Sequence, residues 1–155
     1  MRDKASSSSD PAKLTGGCAC GAVRFRVTGS PRRAGLCHCL TCRKAHAAAF
    51  NPFVVFAAEQ VEVEGATTVW ESSPGYERRF CERCGSRVVN LNGPEIELSA
   101  GSFDEPGRFR PEYESWILRR EPWLRPLEVP QHCQDRNPTC APTQAGQEPS
   151  ATRVV

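Results

Sequence analysis

The sequence contains no apolar run long enough to cross a bilayer. Its most apolar stretch, Ala45 to Ala58, is interrupted by His46, Asn51 and Pro52. It falls short of the roughly 20 residues a membrane helix requires. The first ten residues, MRDKASSSSD, lack the apolar segment of a secretory signal. These absences point to a soluble, cytoplasmic protein with no membrane partner. An excess of one charge is also missing, since 20 Lys and Arg oppose 18 Asp and Glu for a formal net of +2. Arg24, Arg43, Arg78, Arg110 and Arg125 are scattered along the chain. They read as solvated surface and form no basic block for nucleic acid. Aromatic residues make up 8% of the chain and hydrophobic residues 39%, which allows only a modest core. Cores of that size are often reinforced by metals or disulfides.

What is present is punctuated alternation. At 155 residues the chain fits one domain. Residues 1–13, with four consecutive serines, and 133–155, rich in Pro, Gln and Thr, have nothing periodic to bury. Both are expected to be disordered, leaving 14–132 as the folded unit. Inside it, Val23, Phe25 and Val27 alternate with Arg24 and Arg26, Val61 and Val63 with Glu62 and Glu64, and Ile96 and Leu98 with Glu95 and Glu97. Period two predicts half-buried, antiparallel strands. Further strands are expected at Phe53–Phe56, Thr68–Glu71, Glu77–Phe80, Arg87–Leu91 and Glu114–Leu118. One short helix is expected over Thr41–Ala49. The predicted fold class is mainly β, with a few antiparallel sheets and little helix.

Nine cysteines are the chemical signal. In a reducing compartment they argue for metal over disulfides. Seven fall into three groups: Cys18-Ala19-Cys20, Cys37-His38-Cys39-Leu40-Thr41-Cys42 and Cys81-Glu82-Arg83-Cys84. Structural zinc is commonly held by four thiolates, and catalytic zinc by three protein ligands and an open position. The Cys81-x-x-Cys84 pair, followed by Gly85, resembles a zinc knuckle and needs a second pair. Cys18 and Cys20 supply it, closing a loop of about 60 residues. Cys37, Cys39 and Cys42 are left to hold a second zinc with one face open, unless a fourth ligand such as His46, or His38 between two of the cysteines, closes it. Seven thiolates and two dications would turn the formal +2 into −1, which removes the apparent basicity. Cys133 and Cys140 lie in the polar tail and read as free thiols.

These residues are recognisable. Gly16-Gly17-Cys18-Ala19-Cys20-Gly21-Ala22-Val23-Arg24-Phe25, then Cys37-His38-Cys39-x-x-Cys42-Arg43-Lys44, then Phe80-Cys81-x-x-Cys84-Gly85-Ser86 resemble the glutathione-dependent formaldehyde-activating (Gfa) family, which includes centromere protein V. Gly101-Ser102-Phe103-Asp104-Glu105-Pro106, Pro111, Trp116 and Pro122-Trp123 are similar to the family's C-terminal half. The resemblance implies a β-tent fold stapled by a structural zinc on Cys18, Cys20, Cys81 and Cys84. It implies a catalytic zinc on Cys37, Cys39 and Cys42. It further implies a carbon–sulfur lyase that joins glutathione to formaldehyde as S-hydroxymethylglutathione, with a small thiol and a small aldehyde as partners.

The chemistry agrees with the resemblance. Zinc on three thiolates is electron-rich and suits a soft ligand, such as an incoming thiol, better than water. Arg43 and Lys44 could meet a glutathione carboxylate, although an exposed helix face is the expected role. Trp116 and Trp123 could wall a pocket, although core packing is expected. The alternative from another class is a non-catalytic zinc module that presents its sheet to a protein partner. A side chain such as His46 on the triplet metal would favour that module.

Overall fold

Alternation becomes sheet where the sequence predicts it, and the computed structural model, which describes residues 13–135, has two sheets and one α-helix among them. Apart from Lys13 and residues 133–135, the segments 1–13 and 133–155 lie outside the described residues. Strands β1 (Leu14–Gly17), β2 (Arg24–Val27) and β5 (Val61–Glu64) form one sheet in the order β1-β2-β5. The other sheet takes β3 (Arg33–Cys37), β4 (Asn51–Ala57), β6 (Thr67–Ser73), β7 (Tyr76–Cys81), β8 (Arg87–Asn92), β9 (Glu95–Ser99) and β10 (Glu114–Ser115). Its order is β10-β3-β4-β9-β8-β7-β6. Helix α1 (Leu40–His46) bridges β3 and β4. The fold is mainly β, as expected.

The core explains the register. Val23, Phe25 and Val27 are buried beneath the small sheet, and Val54, Phe56, Val88, Val89 and Leu98 meet them from the large one. Phe103 stacks edge-on to Phe25 at 5.0 Å and to Phe109 at 4.9 Å. Strand β4 reads as an unbroken apolar run because both of its faces are covered. Val54 and Phe56 face this main core, while Phe53 and Val55 pack with Tyr113 on the other side. Gly16 lets the chain after β9 dock on β1. A Cβ there would stand 2.2 Å from the Phe25 ring and 2.3 Å from the Ser102 carbonyl.

Four local expectations are corrected. β1 and β3 were not expected as strands: LTGG and RAGLC are short, glycine-containing and carry no clear alternation, and their ladders come from tertiary pairing. The strand expected over Glu114–Leu118 stops at Ser115, because Trp116 turns left-handed (φ 58°) and starts a 3₁₀ turn. That strand is also parallel to β3, pairing Glu114 with Leu36 and Ser115 with Cys37, so the sheet is not wholly antiparallel. The helix begins at Leu40 and ends at His46, where Ala47 adopts φ 48° and returns its N–H to Arg43 and Lys44 carbonyls.

One ion pair makes stability depend on acidity. Glu95 on β9 accepts two hydrogen bonds from Arg33, at 2.5 and 2.6 Å, and one from Arg32 at 3.3 Å. The Arg33 hydrogen bonds lead in holding its carboxyl at about 2, against an ordinary 4.5. A carboxylate depressed in the folded state stabilises the fold above its unfolded pKa and loses that contribution as pH falls toward the folded one. The expected outcome is a loss on the order of 2 kcal/mol between about pH 4.5 and pH 2. In Glu95→Gln this part of the acid limb is flat. Urea melts across that range check it.

Candidate metal centres

The seven sulfurs of the three motifs come together as two groups, Cys18 with Cys20, Cys81 and Cys84, and Cys37 with Cys39 and Cys42. Within each, ligand atoms lie within 4.8 Å of one another, and each group could hold a metal ion. In the quartet, Cys18 Sγ is 3.5 Å from Cys20 Sγ, which is 3.7 Å from Cys81 Sγ. A disulfide would need about 2.05 Å. Zn–S bonds of about 2.3 Å in a tetrahedron set sulfurs about 3.8 Å apart, so the donor set fits. The backbone is arranged for anionic sulfur: the Val23 N–H donates to Cys18 Sγ at 3.2 Å. Gly85, at φ 72°, closes the knuckle turn by donating to the Cys81 carbonyl at 2.9 Å.

The triplet is built from the end of β3 and the start of α1. Cys37 is the last residue of β3, Cys39 caps the helix and Cys42 lies in its first turn. The Cys39 sulfur accepts the Cys42 N–H at 3.3 Å, so one candidate ligand also serves as N-cap. Without a cation the cluster cannot carry three negative charges. Hydrogen bonds from Cys37 and Cys42 lower the Cys39 pKa, and the bond to Cys39 raises that of Cys37. A bound dication removes that conflict.

The triplet opens into a cavity of about 280 Å³ whose other walls include Tyr76, Arg78, Glu97, Ser115 and Trp116. Arg78 points Nη1 and Nη2 at Cys42 Sγ, at 3.8 and 3.7 Å. Tyr76 donates its hydroxyl to Glu97 Oε2 at 2.9 Å, and Asn51 and Asn90 donate to Oε1 at 3.1 and 2.8 Å. Burial raises the Glu97 pKa against these donors. Trp116 lines this cavity and belongs to neither core cluster, which corrects the core-packing expectation. Trp123 is 71% exposed and packs in no core.

His46 is not part of the triplet group. It lines a separate cavity of about 670 Å³ beside Cys18, Cys84 and Arg24. Burial, followed by Arg87 and Arg78, holds its pKa at about 4, so it is neutral at pH 7. His38 is fully buried, its Nε2 3.9 Å from Glu114. Arg43 is held by Glu121 and the Arg119 carbonyl, and Lys44 is exposed; both border a groove by Trp123, away from the triplet. The expected helix-face role therefore stands for Lys44, while Arg43 is an ion-pair partner. Cys133 is disulfide-bonded, which corrects the free-thiol expectation; Cys140 lies outside the described residues.

Sequence reasoning placed Arg78 among solvated surface arginines, and this is the main error at the site: Arg78 is 5% exposed. The signal was its place in period two with Tyr76 on a strand ending in a candidate ligand, Cys81. Glu97 likewise read as a solvent-facing strand residue.

Residues 13–119 match the family model for the glutathione-dependent formaldehyde-activating enzyme. The chain belongs to this family. A Halomonas elongata protein, provisionally named a glutathione-dependent formaldehyde-activating enzyme, is 35% identical over 137 residues, covering 79% of this chain and 85% of the relative. The family model spans both cysteine groups. A crystal structure of a Rhodobacter sphaeroides protein shares the fold, with a TM-score of 0.52 at 21% identity over 61% of this chain and 91% of that one.

Proposed function

We propose that the chain is a zinc-dependent carbon–sulfur lyase acting on the adduct of glutathione, or another small thiol, with a small aldehyde such as formaldehyde. In this reading two zinc ions are held per chain, in a cytoplasmic protein whose working unit is 14–132. Cys18, Cys20, Cys81 and Cys84 hold the structural one, and Cys37, Cys39 and Cys42 the catalytic one. The observation that carries the reading is the triplet's open face: three clustered sulfurs wall a cavity, and among the described residues no histidine or carboxylate joins them. The family match and the relative's name support glutathione and formaldehyde as the chemistry. The rival reading, a closed zinc module, loses its named ligand because His46 lines the other cavity.

Zinc on three thiolates supplies a soft position that favours a thiol as thiolate near neutral pH. The chain's residues do the rest. In the forward direction the sulfur bonds the aldehyde carbon, the carbonyl π pair moves to oxygen, and the thiol's proton ends on that oxygen. In reverse the carbon–sulfur bond breaks and the proton returns to sulfur. The Tyr76 hydroxyl donates to Glu97 and both line the same cavity. The Glu97 carboxylate can therefore take up the thiol's proton while the tyrosine relays a proton to the aldehyde oxygen, the two moves reversing in the other direction. The cavity of about 280 Å³ gives the two reactants one place to meet.

Zinc-replete protein should bind glutathione, and Cys42→Ser should bind at least about tenfold more weakly, equivalent to 1.4 kcal/mol. Calorimetry measures this. Exchange NMR of glutathione with formaldehyde measures turnover. No binding at millimolar glutathione removes the thiol reading. Binding without faster exchange keeps the thiol site and removes formaldehyde.

A further inference from the structure

An arginine buried against sulfur is unusual in cost. Guanidinium stays charged, and taking it out of water is offset only by nearby negative charge and by filled hydrogen bonds. Arg78 is 5% exposed on β7, and three of its nitrogens are committed: Nε donates to Ser72 Oγ at 2.7 Å, and Nη1 and Nη2 face the Cys42 sulfur. The guanidinium lies 4.7 Å over the Tyr76 ring, which fixes its plane. The nearest carboxylate does not account for it. Glu97 is already satisfied by Tyr76, Asn51 and Asn90, and Arg87 approaches that group through Asn90.

We infer that Arg78 is the positioning residue of the triplet metal centre: it orients the Cys42 sulfur and supplies the buried positive charge that the centre requires. The inference rests on the zinc reading above. Three thiolates and one dication sum to −1, and Arg78 brings the assembly to neutrality inside the protein. Both ends of its guanidinium fork reach one sulfur while Nε is tied to Ser72, a geometry that the single ammonium of lysine cannot reproduce. The N-cap bond fixes the Cys42 backbone through its N–H, while Arg78 contacts its sulfur. A neutral centre also imposes no net repulsion on an anionic sulfur arriving through the cavity.

The test uses the full chain loaded with cobalt(II) or zinc(II), with affinity at each centre read by chelator competition and the cobalt–thiolate absorption bands recorded. Arg78→Met should lose metal affinity by about 10- to 100-fold at one centre, with a much smaller loss at the other, the range seen when a ligand's hydrogen-bonding partner is removed. Its cobalt–thiolate band should shift, and Arg78→Lys should recover part of the affinity but not the band position. Unchanged affinity at both centres in Arg78→Met overturns the inference, and so does an equal loss at both in a folded protein. If neither Arg78 variant folds, Ser72→Ala decides. Freeing Nε should weaken the same single centre several-fold, and an unchanged centre overturns the inference. Wild-type protein that takes up a single equivalent overturns the two-zinc reading itself, and the role of Arg78 with it.

Discussion

Cys81→Ser is expected to unfold the protein at 25 °C, whereas Cys39→Ser leaves a folded chain that lacks metal at the triplet. Cys81 is 1% exposed, belongs to the main core and ends β7 with its N–H on the Ser86 carbonyl at 3.0 Å. Its sulfur lies 3.7 Å from that of Cys20, 61 residues earlier, so the quartet joins the small sheet to the large one. Structural zinc in small folds contributes about 10–16 kcal/mol of apparent binding free energy, as much as the whole stability of a typical domain, about 5–15 kcal/mol. Cys39 stands differently. Its ligand partners are all within one strand end and one helical turn, and serine is itself a good N-cap, so the bond to the Cys42 N–H is kept. Circular dichroism melts and elemental analysis of the two variants check the contrast. Equal and severe loss of structure in both would count against the division of roles.

The second large effect lies beneath the triplet. Glu114, 1% exposed, is ion-paired with Arg120 and near His38, and its carboxylate also accepts the Leu127 N–H. Arg120 reaches Gln131 as well, so one buried pair ties β10 to the segment that follows it. Removing one partner of such a pair strands a charge, and Arg120→Met should cost about 3–5 kcal/mol. Replacing both partners, as in Glu114→Leu with Arg120→Met, should cost much less than the two single changes added together, since no charge is then left alone. Urea unfolding of the singles and the double measures the coupling. Additive costs would show that the pair does not interact. Because Ser115 pairs with Cys37 and its carbonyl takes the His38 N–H, the single variants should also loosen the wall of the triplet cavity.

The two cysteine groups were legible because ligand spacing is local chemistry: C-x-C, C-x-C-x-x-C and C-x-x-C keep their meaning whatever the fold does around them. The alternating strands were legible for a similar reason, since Val23, Phe25 and Val27 choose one face without reference to any partner. What could not be read depends on distant pairing. β3 carries little alternation and exists because β4 and β10 flank it on either side. The parallel run of Glu114 beside Leu36 joins residues 78 apart, and nothing in either segment announces the other. Arg78 was misread for the same reason. Period two places it opposite Phe80's neighbours on a strand, but only the sheet order reveals that its side chain ends at the helix carrying Cys42. Charged residues are misjudged by sequence whenever the charge that balances them lies elsewhere in the chain.

Strand β7 carries Cys81 of the quartet at its end and Arg78 of the triplet in its middle, 36 residues from the cysteine that Arg78 faces. Under the two-zinc assignment this short strand makes the centres a single thermodynamic system. Metal that anchors Cys81 stiffens the backbone on which Arg78 is presented, and so favours metal at Cys42. Linkage requires the favour to be returned by the same factor: filling the triplet must tighten the quartet. A chelator titration should therefore depart from two independent releases, and the surviving metal should leave more readily once the other has gone.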